Sequence, residues 1–150
     1  MTDVREDAVS IALDLIKKWE GCKLKAYRCS AGVWTIGWGS TGPGIKEGVV
    51  WTQAQADSRL AADVRKFADG VFSAVTANAN ANQLGAMISL AYNIGLGAFR
   101  SSTLLRLFNA GDTSGARAQF QRWNKASGKV VNGLTNRRND EAAVFARVGK

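Results

Sequence analysis

The chain has 150 residues, 46% of them hydrophobic and 21% charged, with a net charge of +8 and a sequence pI of about 9.9. That length and balance suit one ordinary globular domain whose core needs neither disulfides nor metal, and they exclude extended disorder. Histidine is absent, which excludes Ser-His-Asp and Cys-His nucleophile pairs and any His-containing zinc site.

The positive charge suits a polyanionic partner, and nucleic acid, an anionic membrane surface and an anionic cell wall all qualify. The basic residues are spread from Lys17 to Arg138 and form no dedicated tail. The two cysteines, Cys22 and Cys29, make no disulfide framework. On one strand they would lie too far apart to bridge, so both are expected as free thiols in a chain that folds in the cytoplasm. The first residues, MTDVREDAV, carry charges and no apolar centre, so no export signal is expected. No apolar run reaches the roughly 18 residues of a membrane-spanning helix.

Residues 5–19 place Val9, Leu13, Ile16 and Trp19 close to helical spacing and predict an amphipathic helix, with Gly21 as its breaker. Residues 22–51 change character. Polar and apolar residues alternate in CKLKAYR, β-branched and aromatic residues fill GVWTIGWGS, and TGPG marks a turn. The segment predicts two or three short antiparallel strands, with a glycine density suited to tight turns and close backbone approach. From Thr52, a capping residue, the pattern is helical, with Gly70 expected to end or kink the first helix. A polar spacer, TANANAN, precedes a largely buried helix that stops at Gly95. Residues 101–109 predict a short helix ended at Ala110 and Gly111, and residues 112–123 another. SGKVVNG reads as a loop, and Thr135 or Asn136 as the cap of a last helix reaching Val148.

The expected fold class is therefore α+β: mostly helical, with a small N-terminal antiparallel sheet lobe and a C-terminal helical lobe facing each other across a cleft. The sheet lobe covers about residues 21–52. The helical lobe covers about 78–150 plus the N-terminal helix, and a long helix, about 53–75, joins the two.

Glu20 falls where the first helix meets the sheet, beside Trp19. A carboxyl group set against apolar surface ionises less readily, and a protonated carboxyl can donate to a leaving oxygen. An ordinary helix-end glutamate fits the same position. Cys29 and Thr35 can meet across a hairpin, where a hydroxyl can hold a water. A buried structural cysteine and a strand-forming threonine fit them equally.

Three runs carry a resemblance. Residues 20–40, EGCKLKAYRCSAGVWTIGWGS, resemble the catalytic segment of the phage-type lysozymes, endolysins of glycoside hydrolase family 24. That segment has the form Glu, eight residues, Asp or Cys, five residues, Thr, matched here at Glu20, Cys29 and Thr35. Residues 82–105 and 122–141 are also similar to that family, and the likeness covers roughly residues 8–147. It implies a two-lobed lysozyme-like fold and hydrolysis of the β-1,4 bond between N-acetylmuramic acid and N-acetylglucosamine, leading to lysis of the host. Glu20 would protonate the leaving oxygen, and Cys29 with Thr35 would handle the water or nucleophile. Tyr92 and Asn93 match a helix end that contacts sugar. Arg137 matches a last-helix arginine that pairs with the catalytic glutamate, and it is counted with the substrate-binding residues.

The chain departs from the usual pattern in two places. Cys29 stands where most relatives have Asp; its thiol is mostly neutral at pH 7 unless cations such as Arg28 lower its pKa. Ser40 stands where relatives commonly have His, which removes a possible ion pair. Core packing is preferred over sugar stacking for at least two of Trp34, Trp38 and Trp51.

No cofactor and no metal are expected. The partner implied is bacterial peptidoglycan, acted on by a monomer that neither binds nucleic acid nor inserts stably in a membrane. The implied route is from the host cytoplasm to the wall through a separate holin lesion. Two alternatives keep part of this picture: a lytic transglycosylase giving 1,6-anhydro products, and a non-catalytic binder of polyanions or wall.

Overall fold

The computed structural model describes residues 3–29 and 31–147. It begins with α1 (Val4–Trp19), capped by the Asp3 carboxylate, which accepts from the Arg5 amide. The helix buries Ala8, Val9, Ala12, Leu15 and Ile16. Of the predicted stripe, Val9 and Ile16 are buried, while Leu13 and Trp19 are half-buried. Gly21 is not the breaker. Glu20 itself is the C-cap, extended at φ −90° and ψ 129°, and its N–H still closes the last turn on the Ile16 carbonyl at 2.7 Å.

Two strands follow, β1 (Lys23–Arg28) and β2 (Trp34–Gly37), paired antiparallel with Tyr27 opposite Thr35 and Arg28 opposite Trp34. The possible third strand amounts to isolated bridges, Lys25 to Val50 and Ile36 to Ser40. Next comes α2 (Gln53–Ala74), started by a capping box between Thr52 and Gln55. Gly70 does not end it, since the helix continues to Ala74. A Cβ there would lie 2.6 Å from the Leu96 methyls, so glycine is present for close helix packing.

The spacer supplies Asn80, which caps α3 (Ala81–Ile94) through a second capping box with Gln83, and Gly95 ends α3 at φ +98°. A short α4 (Leu96–Arg100), missed in the sequence because five residues carry little periodicity, leads to α5 (Thr103–Asn109), capped by Ser102. The expected helix over 112–123 divides into α6 (Thr113–Ala118) and a 3₁₀ turn, Gln119–Trp123.

SGKVVNG is more than a loop. Two-residue strands β3 (Lys125–Ala126) and β4 (Lys129–Val130) form a hairpin whose turn has Ser127 and Gly128 at positive φ. The last helix, α7 (Asn132–Phe145), therefore starts earlier than Thr135, and Val131 at its N-cap makes no side-chain hydrogen bond. It also ends sooner than expected, at Phe145 with Ala146 as C-cap; Val148, the expected end, lies outside the described residues. The helices share one core that includes Leu60, Met87, Leu90, Phe99, Leu104 and an edge-to-face chain of Phe108, Phe145 and Phe120.

Candidate active site

Glu20 sits at the end of α1, and that end is pinned to α7. Asp140 accepts from Trp19 Nε1 at 2.8 Å and pairs with Lys18 Nζ at 2.9 Å. One turn back along α7, Arg137 turns inward and donates from Nη1 to Glu20 Oε2 at 2.8 Å. Its side chain is 5% exposed, against 24% for Glu20. The other carboxyl oxygen, Oε1, lies against Gly39, where an added Cβ would come within 3.1 Å of it. Gly39 has φ +93°, a conformation glycine alone adopts freely. The pattern TIGWGS thus brings bare backbone up to the acid.

A cleft of about 410 Å³ opens between the sheet and the helices. Its lining includes Glu20, Cys29, Thr35, Tyr92 and Asn93. Five of the six residues singled out in the sequence therefore share one cavity. Arg137 is the exception: it is buried and off the lining, and it reaches the cleft only through its contact with Glu20.

Cys29 and Thr35 come from the two arms of the β1–β2 hairpin. Thr35, buried, donates its hydroxyl to the Val33 carbonyl at 3.0 Å, and the Cys29 amide donates to the same oxygen at 3.0 Å. The Val33 and Ala31 amides hold the Cys29 thiol below its ordinary range, with a smaller contribution from Thr35 and some opposition from burial. Arg28, the cation that could have had that effect, stacks on Trp34 at 5.3 Å. Cys22 and Cys29 are both free, and β1 lies between them.

Tyr92 reaches over from α3, donating to the Trp38 carbonyl at 2.9 Å and packing edge-to-face on Phe67 at 5.3 Å. Burial, and then the Glu20 and Asp63 carboxylates, push its phenol well up. Asn93, exposed, stands on the rim.

The sequence reading missed one wall. Arg59 and Asp63, one turn apart on α2, both line the cleft. Arg59 Nε meets Asp63 at 3.0 Å and 3.1 Å, its Nη2 donates to the Thr41 carbonyl at 2.6 Å, and Ser40 donates to Asp63 at 3.3 Å. Asp63 thus receives a cation from its own helix, although Ser40 offers none. The i, i+4 spacing was the available signal, but such pairs are common on solvated helix faces. Of the tryptophans, Trp38 packs on the core and donates to Asp57, Trp51 covers Gly37, and none of the three lines the cleft. Among the described residues no cluster of three or more carboxylate and thiol ligands could hold a metal.

A small sheet and a helical bundle meeting across a carboxyl-lined cleft define a lysozyme-like architecture. The phage lysozyme family model matches residues 17–141. An endolysin of Bacillus phage PZA is 47% identical over 135 residues, 89% of this chain and 52% of the relative. An endolysin of Acyrthosiphon pisum secondary endosymbiont phage 1 is 44% identical over 137 residues, 89% of this chain and 93% of the relative. Among solved structures, the endolysin from Escherichia coli O157:H7 phage FAHEc1 superposes with TM-score 0.83 at 39% identity, covering 93% of this chain and 94% of that one. The muramidase domain of SpmX from Asticaccaulis excentricus gives TM-score 0.84 at 30% identity, over 99% and 100% of the two chains. The chain belongs to the phage lysozyme family. It spans about half the length of the two Bacillus phage endolysins it matches.

Proposed function

We propose that the protein is an endolysin that hydrolyses the β-1,4 bond between N-acetylmuramic acid and N-acetylglucosamine in bacterial peptidoglycan, working as one two-lobed unit. The observation that carries this reading is the meeting of Glu20, Cys29 and Thr35 in one cleft, with Glu20 anchored on a single oxygen. A carboxyl group held at Oε2 keeps Oε1 for the substrate. In its protonated state it gives its proton to the leaving glycosidic oxygen as the bond breaks, which relieves charge on the departing sugar.

In the same cleft the Thr35 hydroxyl is engaged as a donor, so its lone pairs remain to accept a hydrogen bond from water. Cys29, with its thiolate form favoured by the Val33 and Ala31 amides, either takes a proton from that water or attacks the anomeric carbon. The first course inverts the anomeric configuration. The second retains it through a thioglycosyl intermediate, whose carbon–sulfur bond water then cleaves. Tyr92 and Asn93 bind sugar, and Arg137 aids binding indirectly by holding Glu20.

The partner is the wall itself. The proposed route starts in the host cytoplasm and passes a holin lesion, and no described helix is long and apolar enough to cross a membrane. The test is mass spectrometry of muropeptides after digestion, run beside Glu20→Gln. Reducing ends, and their disappearance with a folded Glu20→Gln, support the hydrolase. Anhydro ends assign a transglycosylase, and full activity of Glu20→Gln overturns the acid assignment.

A further inference from the structure

Behind the cleft lies a second ionic cluster that the chemistry above does not use. Glu141 is fully buried on α7. It accepts from Ser89 Oγ of α3 at 2.5 Å and from Arg137 Nε at 3.4 Å, and Arg138 Nε stands 2.6 Å from its other oxygen. Arg138 is itself fully buried and donates from Nη1 to the Trp123 carbonyl at 3.1 Å. Removing such ions from water is costly, and well-packed apolar side chains of similar volume often stabilise a fold as well or better. Stability alone therefore gives a weak reason for the cluster, and its connection gives a better one. The guanidinium of Arg137 is planar, with its donors fixed in a fork. Nε faces Glu141 and Nη1 faces Glu20, so fixing one edge fixes the other.

We propose that Glu141, itself held by Ser89, is a positioning residue for the acid: it grips Arg137 from behind, so that Arg137 meets one Glu20 oxygen and leaves the other facing the cleft. The line of contacts runs from α3 through α7 to the cap of α1. Without Glu141 the arginine is free to rotate about its side chain and to chelate both oxygens of Glu20, which would withdraw the proton donor from the substrate. Misplacement of a reacting group by about 1 Å can cost on the order of a hundredfold in rate.

This inference rests on Glu20 being the acid, and the test separates the two. Steady-state kinetics on a soluble, uncrosslinked glycan oligomer are compared for the parent chain, Glu20→Gln, Glu141→Gln, Ser89→Ala, Arg137→Gln and the Arg137→Gln/Glu141→Gln pair. The expected result for Glu141→Gln is a kcat lowered by about tenfold to a hundredfold with KM within about twofold. Ser89→Ala, which removes one hydroxyl, shows a smaller fall of the same kind and serves if Glu141→Gln does not fold. Because Glu141 acts through Arg137, the double variant turns over no more slowly than Arg137→Gln alone. A folded Glu141→Gln or Ser89→Ala with parental kcat overturns the proposal, as does an additive loss in the double variant. If Glu20→Gln stays active, the acid assignment has failed, and the positioning role fails with it. If Glu20→Gln is inactive while Glu141→Gln matches the parent, only the positioning role fails.

Discussion

At the scale of single residues, the proposed chemistry turns on which groups each side chain meets. Two backbone amides hold the Cys29 thiol below the ordinary range. A thiol must lose its proton to act as base or nucleophile, so activity should fall as pH drops through its pKa. A carboxylate in the same place ionises at lower pH. Cys29→Asp should therefore remain active, with the acid limb of its kcat/KM profile moved to lower pH, while Cys29→Ala should lose most activity. An unchanged acid limb in Cys29→Asp would exclude the thiol from that step. Gly39 offers a second test. Alanine there adds a Cβ 3.1 Å from Glu20 Oε1 at φ +93°. The strain costs about 1–3 kcal/mol, and the crowded oxygen should lower kcat about tenfold or more. Circular dichroism on heating measures the first effect, and turnover of the still-folded protein measures the second.

Among elements, close helix contacts depend on missing side chains. Gly85 in α3 faces α1, where a Cβ would lie 2.5 Å from Ile11 Cγ2 and 3.1 Å from the Ala8 carbonyl oxygen. Gly85→Ala gains about 1 kcal/mol in helix propensity but crowds a core at a cost of about 1–3 kcal/mol. The expected net is a melting temperature lower by several degrees, since about 1 kcal/mol corresponds to roughly 2–4 °C at this size. A rise in melting temperature would mean that α1 and α3 part without loss. The helices themselves were legible because local rules start and stop them: Thr52 and Gly95 needed no tertiary information. The hairpin at Ser127 and Gly128 was hidden, because no Asn-Gly or Asp-Gly marks it. Gly70 was misread because a helix interior glycine and a helix-ending one look alike until Leu96 arrives. In the site, Glu20, Cys29 and Thr35 could be picked out because they lie within sixteen consecutive residues whose spacing carries the resemblance described above. Ser89 and Glu141 could not: they meet across 52 positions, and each alone reads as an ordinary helix residue.

For the molecule as a whole, the groups proposed to react are divided between unequal halves. The buried apolar residues belong almost entirely to the helices, and residues 21–51 contribute Ile36 and Ile45. Glu20 caps α1 and is tied to α7, so it travels with the helices, whereas Cys29 and Thr35 travel with a two-stranded sheet. Segments with few buried apolar contacts open at lower free energy than the core. Heat should therefore silence this protein before it melts it. As temperature rises, bond cleavage should cease while helical ellipticity at 222 nm is still nearly complete, and cooling from that interval should restore the rate in full. If cleavage and ellipticity are instead lost together, the hairpin is as firmly seated as the bundle. The joint at Glu20 would then be a place where the protein breathes least, and its working ceiling would be the stability of the fold itself.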